Sequence, residues 1–382
     1  MFSMQFSEEQ LKIQQNMKEF CEKEVAPGVA QRDKDGDDTA TAALMKRLGE
    51  LGFWGLPYPK EYGGSGADTL SYALASIELN KVDASLGCSY SIHTSVSAWI
   101  PFVYGTEEQK RRFATPMFNG EKIGAFGLTE PNAGSDAAMQ ITIAEKDGEN
   151  YIINGTKCFI TNSGHADTTL LFTMTDRSKG VKGITCFAID KDTPGFNFTK
   201  KEDKMGIRGT VQRVIEIENM KVNADRRIGQ EGEGFKIAMQ ALDGGRIGIG
   251  AQGVGIAEGA YEYALAYAKE RVQFGKPIFA QQAVAFKFAE MATKIEYAKL
   301  LCLKAAWLKD THQPYGMAAA MAKMVGTDVA MEVTTDAVQM MGGAGFLKDH
   351  PVERMMRDAK ITQIYEGTNE IQKVVISGYI GR

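Results

Sequence analysis

Histidine and cysteine are scarce in this chain: there are four His and five Cys in 382 residues, and no two cysteines form a CxxC pair. No zinc constellation can be assembled from that supply. Cys21, Cys88, Cys158, Cys186 and Cys302 read instead as reduced, mostly buried thiols. A long basic run is also missing. With 44 Lys and Arg against 48 Asp and Glu the net charge is -4, which offers no footprint for nucleic acid or an anionic membrane. No apolar stretch reaches the ~20 residues that a bilayer-spanning helix requires. The opening Met-Phe-Ser-Met-Gln-Phe-Ser-Glu-Glu-Gln lacks the charged and then apolar regions of a secretory signal. A fixed-period repeat and a low-complexity tail are absent too. Together these absences predict a cytoplasmic protein of small-molecule chemistry, and the length predicts two or three domains around a substantial core.

What is present runs α, then β, then α. Ser7-Glu8-Glu9-Gln10 is a capping box, and the pattern returns at Thr106-Glu107-Glu108-Gln109. Behind the first box, Leu11, Met17, Phe20, Cys21 and Val25 recur at roughly helical spacing until Pro27 interrupts them. Residues 39–52 and 69–104 are rich in Ala, Leu and Ser with helical periods, while Pro57-Tyr58-Pro59 and Gly63-Gly64-Ser65-Gly66 mark loops. From about residue 122 the texture changes. Gln140 to Ala144 and Tyr151 to Asn154 flank Asp147-Gly148 as a hairpin does. Further strand-like runs lie at Thr168 to Met174, Gly183 to Ile189 and Val211 to Ile217, and predict a sandwich or barrel. After Gly229-Gln230-Glu231-Gly232, helical periods cover 233–272, 281–310, 317–341, 350–361 and 368–380. The class is α+β, with a helical domain at 1–118, a β domain at 119–230 and a second helical domain at 231–382. The two helical parts are expected to pack as one body.

Several short motifs carry chemistry, each with an ordinary alternative. Ile364-Tyr365-Glu366-Gly367-Thr368-Asn369-Glu370 holds a carboxylate in an apolar, Gly-punctuated turn before the last helix. Partial desolvation there raises a glutamate's pKa and makes it a base near neutral pH; the alternative is a solvated residue at a helix start. Gly248-Ile249-Gly250-Ala251-Gln252-Gly253 matches the dinucleotide fingerprint G-x-G-x-x-G, but no βα pattern surrounds it, so small residues for close helix packing explain it better. The loop Phe126-Gly127-Leu128-Thr129-Glu130-Pro131-Asn132-Ala133-Gly134-Ser135-Asp136 concentrates hydroxyls and flexible amides able to bind a flat ring and a phosphate, or is a plain inter-domain loop. Phe159-Ile160-Thr161-Asn162 ends a β run, where Phe159 contacts a planar cofactor or fills the β core. Arg271-Val272-Gln273-Phe274-Gly275-Lys276-Pro277 closes a helix in the ordinary way, with cations and a Gly-Lys-Pro stop. Gln339-Met340-Met341-Gly342-Gly343-Ala344-Gly345-Phe346 ends another helix, its glycines serving a ligand's approach or a turn.

Taken in order, LTEPNAGSD, FITN, RVQFGKP, QMMGGAGF and IYEGTNEIQ, set in helical, β and helical domains, resemble the acyl-CoA dehydrogenases over essentially the whole chain. Within that family the position of IYEGTNE and the lack of extra domains look most like the bacterial short-chain, butyryl-CoA type. The resemblance implies that family's fold, with a C-terminal four-helix bundle. It also implies FAD, held by Phe126 to Ser135 and by Phe159, Ile160 and Thr161, with Thr368, Asn369 and Glu370 closing the same subunit's site. Arg271, Gln282 and Gln339, Met340, Met341, Gly342 and Gly343 would reach FAD across a subunit interface, in a homotetramer. Glu366 matches the catalytic base, and Ser135, Asp243, Gly244, Gly245, Arg246 and Gly367 match residues of the acyl-CoA site.

The implied reaction converts a short-chain acyl-CoA to a trans-2-enoyl-CoA, with electrons passed to an electron-transfer flavoprotein. An enoyl-CoA reductase working in the reverse direction shares every catalytic residue, and a non-catalytic acyl-CoA-binding protein is the alternative that retention of Glu366 opposes. Tyr365 and the bulky residues of Tyr90 to Ile100 predict a shallow acyl pocket. His93 in that stretch is a packing residue or a ligand contact. The chain departs from the family where Gly209-Thr210-Val211-Gln212-Arg213 follows Met205-Gly206-Ile207-Arg208, since relatives tend to carry a Ser or Thr and, two residues later, a Thr.

Overall fold

The computed structural model describes residues 5–381, so residues 1–4 and 382, which the domain limits above include, lie outside the described residues. The N-terminal part is helical: α1 (Glu8–Phe20), α2 (Val29–Asp35), α3 (Asp38–Glu50), α4 (Thr69–Val82), α5 (Ala84–Ser91), α6 (Trp99–Tyr104), α7 (Glu107–Gln109) and α8 (Thr115–Phe118). Both capping boxes form: Ser7 Oγ accepts from Gln10 N–H while Gln10 Oε1 accepts from Ser7 N–H, and Thr106 and Gln109 do the same. Met17, Phe20, Cys21 and Val25 are buried, but Leu11 is 48% exposed. Six residues before Met17, it sits about 120° round the helix and off the inward stripe. Pro27 falls in a 3-10 turn, Ala26–Gly28, before α2. Almost every residue of α4 is buried, as befits a helix with neighbours on all sides.

The middle part contributes β1 (Gly124–Gly127), β2 (Ile143–Asp147), β3 (Asn150–Thr161), β4 (Thr168–Met174), β5 (Ile184–Asp190), β6 (Phe196–Lys201), β7 (Gln212–Asn223) and β8 (Arg227–Ile228). They join in one eight-stranded sheet in the order β6-β7-β3-β2-β4-β5-β8, with β1 parallel to β4. The expected hairpin is β2–β3, in register from Ile143 against Asn154 to Asp147 against Asn150. Strand β4 is buried along its whole length, because its two faces pack into two different apolar clusters. Leu171 packs into the N-terminal core, while Leu170 and Phe172 pack toward the helix that follows the sheet.

That helix is α9 (Gly234–Glu270). After it come a small hairpin of β9 (Val272–Gln273) and β10 (Lys276–Pro277), then α10 (Gln282–Asp310), α11 (Gly316–Met341), α12 (Pro351–Thr362) and α13 (Asn369–Ile380). The glycine-rich stretch 248–253 lies buried in mid-helix, where a Cβ on Gly253 would come 2.5 Å from Gly326 O of α11. It is a packing seam. Leu70, Leu74 and Ile77 of α4 share one apolar core with α9, α10 and α11, so a helix from the N-terminal part completes the C-terminal bundle.

Candidate active site

Strand β1 ends at Gly127 and hands the chain to the loop 128–137. Glu130 and Lys157 make that loop rigid. The Glu130 carboxylate accepts from Ile141 N–H, Thr142 N–H and the ammonium of Lys157, which also donates to Leu128 O and Gln140 Oε1. Burial favours a neutral Glu130, but Lys157 and the Ile141 amide overcome it and hold the carboxyl below its ordinary range. Burial lowers Lys157 to about 8 against the pull of Glu130. Glu130, expected to contact a cofactor, therefore has its carboxylate committed inside the protein. Beside the loop, the pairing of β3 with β7 slips between Lys157 and Ile160. That irregularity turns Phe159 outward at φ 59, where it is 63% exposed. A core Phe is what simple strand alternation suggests, and the bulge overrides it.

The other wall is the turn between α12 and α13. Glu366 stands there at φ 52, a conformation that costs a non-Gly residue energy and persists only where its surroundings enforce it. Lys323 of α11 enforces it from below: its ammonium, fully buried, donates to Gly367 O at 2.8 Å and to Asn369 Oδ1 at 2.8 Å. Gln372 Nε2 donates to Glu366 O and Gly367 O, and Asn369 Nδ2 donates to Thr327 Oγ1 and Asp328 Oδ1. Thr368 caps α13 through Ile371 N–H. The turn is thus tied to α11 by side chains rather than by sheet or helix bonds.

Both Glu366 carboxylate oxygens are buried with no hydrogen-bond partner. Burial pushes its pKa up to about 7, against the opposing pull of Arg246 and Lys323. Lys323 itself is brought down to about 7 by burial. The carboxylate lies against α9 where Gly245 leaves room: a Cβ there would be 2.1 Å from Glu366 Oε2. Arg246, buried, bonds Asp243, while its Nε has no acceptor. Burial raises the pKa of Asp243, and Arg246 works against that rise.

Between these walls lies a slot of about 170 Å³. Pockets that enclose a whole small ligand measure about 300–1,000 Å³, so this slot alone is too small to enclose one. Of the residues anticipated from sequence, Phe126, Leu128, Thr129, Gly134, Ser135, Phe159, Ile160, Thr161, Arg246, Glu366 and Gly367 line it. Gly127 is buried at the end of β1 and Ala133 is buried in the loop, while Pro131 and Asn132 are exposed on its rim. Asp243, Gly244 and Gly245 lie on α9 behind Arg246 and Glu366, and Thr368, Asn369 and Glu370 start α13. Arg271, Gln282, Gln339, Met340, Met341, Gly342 and Gly343 do not line the slot. Arg271 caps α9 and leads into the β9–β10 hairpin, whose Phe274 is 94% exposed, so no helix-stop glycine operates there.

Some lining residues were not anticipated. Met239, Leu242 and Ile371 close the apolar sides, and Ile92 projects from a π-helical turn, Ile92–Ser97. Of the bulky wall expected at 90–100, Ile92 alone lines the slot, and Tyr90 points into the N-terminal core with its hydroxyl on Phe53 O. His93 is a packing residue. Its Nδ1 accepts from Gly124 N–H, its Nε2 bonds Met117 O, its ring lies 4.2 Å from that of Trp54, and burial lowers its pKa to about 4. It holds β1 against the helices.

Sequence models of the acyl-CoA dehydrogenase N-terminal, middle and C-terminal domains match residues 7–121, 125–220 and 232–379. A short-chain specific acyl-CoA dehydrogenase of Clostridium acetobutylicum is 52% identical over 98% of this chain and 98% of its own. The solved butyryl-CoA dehydrogenase of Megasphaera elsdenii is 48% identical, covers 100% of both chains and superposes with a TM-score of 0.97. A structure described as the electron transferring flavoprotein of Acidaminococcus fermentans, towards a mechanism of flavin-based electron bifurcation, contains a chain 50% identical to this one over 100% of both, with a TM-score of 0.98.

Proposed function

For a chain that belongs to the acyl-CoA dehydrogenase family, we propose that the slot beside Glu366 is where a short-chain acyl-CoA loses hydrogen from its α and β carbons to become a trans-2-enoyl-CoA. The observation that carries this reading is the Glu366 carboxylate, buried, without a partner and titrating at about 7. A carboxylate that no hydrogen bond stabilises is a strong base, and one titrating near neutral pH is available to act as one.

FAD is the family's cofactor, and the residues fit it. Phe126 and Phe159 present apolar surface to a flat ring, and the hydroxyls of Thr129, Ser135 and Thr161 line the same slot. When bound, FAD supplies the acceptor for the hydride that leaves the β carbon. The chain does the rest. Glu366 removes the α-proton of a thioester, Gly245 and Lys323 fix where its carboxylate lies, and Arg246 lends positive charge as the carboxylate's surroundings dry. Apolar Met239, Leu242 and Ile371 keep water from the base.

Exposed Phe274, Phe286 and Phe346 near Arg271, Gln282 and Gln339–Gly343 make a surface suited to another copy of the chain. In a homotetramer these residues would complete the FAD site of a neighbouring subunit. An electron-transfer flavoprotein is the proposed partner, and five unpaired thiols accord with a cytoplasmic location. Among the described residues no helix is long and apolar enough to cross a membrane. A second reading has the same site reduce an enoyl-CoA, since one base serves both directions.

The test mixes the purified yellow protein with saturated and unsaturated acyl-CoAs of graded length while the flavin spectrum is followed. Each methylene buried adds about 0.8 kcal/mol until the slot is full, so bleaching should be best with chains of about C3 to C5 and weak by about C8. Bleaching that keeps improving to octanoyl-CoA refutes the short-chain assignment, and protein that neither carries nor takes up FAD refutes the whole reading.

A further inference from the structure

Strand β7 begins within the stretch Gly209 to Arg213, with Gln212 directly opposite Thr161 of β3 in the sheet register. Side chains so paired share one face of the sheet. Gln212 Nε2 donates to Thr161 Oγ1 at 3.0 Å, both residues are more than nine-tenths buried, and Thr161 lines the slot. The Gln212 carbonyl oxygen, Oε1, is buried without a partner. Turning the amide over would exchange that orphan carbonyl for an orphan NH₂, the rarer and costlier of the two.

Thr161 has one proton and two acceptor positions. With Gln212 as donor, one acceptor position is filled and the proton needs somewhere else to go. Among the described residues, the other polar side-chain atom against it is Cys88 Sγ at 4.0 Å, a weak partner. The slot is the remaining direction. We propose that Gln212 is a positioning residue that sets the rotor of Thr161, so that the threonine hydroxyl is held as a hydrogen-bond donor toward the cofactor bound in the slot. A donor aimed at the ring favours its electron-rich, reduced form over the oxidised one, and a donor that is itself receiving a hydrogen bond is strengthened by it. Gln212 thereby raises the tendency of the bound flavin to accept electrons, resting on the flavin site proposed above, without touching substrate or ring.

A double-mutant cycle read as flavin midpoint potential tests this. Gln212→Met keeps the length and apolar bulk of the side chain but neither donates nor fixes the rotor. It should shift the oxidised-to-reduced equilibrium toward the oxidised form by about three- to tenfold, or roughly 14 to 30 mV for a two-electron couple. Thr161→Val should shift it at least as far, and Gln212→Met should add nothing in the Thr161→Val background. Additive shifts, or an unchanged potential in Gln212→Met, overturn the proposal. Should Gln212→Met lose its flavin, Gln212→Asn, whose shorter amide does not span to Thr161, is measured in its place. The two levels fail differently: a wild-type chain that binds no FAD removes the function proposed above, whereas FAD bound at one potential in every Gln212 variant removes only the role of Gln212.

Discussion

Replacing Glu366 by Gln interrogates the electrostatics of the site as well as its chemistry. The carboxyl titrates at about 7 in the folded chain against an ordinary 4.5. That gap of about 2.5 pH units corresponds to ~3 kcal/mol at 1.36 kcal/mol per unit. Its sign is set by proton uptake: between pH 4.5 and 7 the folded protein holds a proton that the unfolded chain has released. Stability from this group is therefore fully present below about 4.5 and is lost as the pH rises through 7. Glutamine has nearly the same volume and no charge, so the variant lacks that decline. Its advantage over wild type should be at most ~1 kcal/mol at pH 5 and grow to ~3 kcal/mol at pH 8. Parallel urea unfolding of the two proteins across this range, each with the flavin it purifies with, reads the difference while cancelling the titrating groups that do not feel the Glu366 charge. A difference that does not change with pH would mean a solvated, unraised carboxyl. The same substitution should slow substrate-dependent flavin reduction by about a hundred- to ten-thousand-fold, whereas the wild-type rate climbs as the pH passes about 7 and Glu366 ionises.

Three further outcomes follow from neighbouring groups. Gly245→Ala sets a Cβ 2.1 Å from Glu366 Oε2 and 2.9 Å from Val96 Cγ2, so the base must move. Flavin reduction should slow by about tenfold or more at unchanged FAD content, because a displacement of about 1 Å is costly to a proton transfer, and wild-type rates in this variant would disprove the placement. Lys323→Met deprives Glu366 of a nearby cation and removes the charged donor from Gly367 O and Asn369 Oδ1, which keep Gln372 Nε2 and Thr327 Oγ1 as partners. The acid limb of the rate profile should move to higher pH, and stability should fall by ~1–3 kcal/mol with the loss of these charge-assisted hydrogen bonds; an acid limb moving the other way contradicts the electrostatics. Lys157→Met strands the buried Glu130, which should destabilise the chain by ~3–5 kcal/mol. A calorimetric scan that matches wild type would show that the pair is not buried as described.

The helices were readable because their ends carry local chemistry: Ser7 with Gln10, Thr106 with Gln109, and a return of apolar residues every three or four positions. Glu366 drew notice as a carboxylate between Tyr and Gly in an apolar turn, but the role expected of it came from the family resemblance, because burial of its oxygens depends on α9 and α11 and leaves no mark on the turn itself. Phe159 was left open between the β core and a cofactor contact by its residues alone, since alternation along a strand has no sign for the extra residues of a bulge, and the register against β7 reveals why the side chain turns out. Lys323 gave no signal at all. A single lysine in an Ala- and Met-rich helix reads as a side chain stretching to solvent, and its burial depends on a turn more than forty residues away in sequence. Gln212 was visible as an irregularity in the strand without a meaning, because its partner lies on another strand.

The seam between α9 and α11 has a mechanical consequence. With Gly253 set against Gly326 and Gly250 against Ala322, the two helices meet backbone to backbone, with no flexible side chains between them to act as a cushion. Rods in such contact neither roll nor separate without opening a void along their length. One rod carries Gly245 and Arg246 and the other carries Lys323, so the spacing around Glu366 is held on a stiff chassis. Strain from an arriving thioester must then be taken up outside the α9–α11 seam, and the base keeps its place while it is.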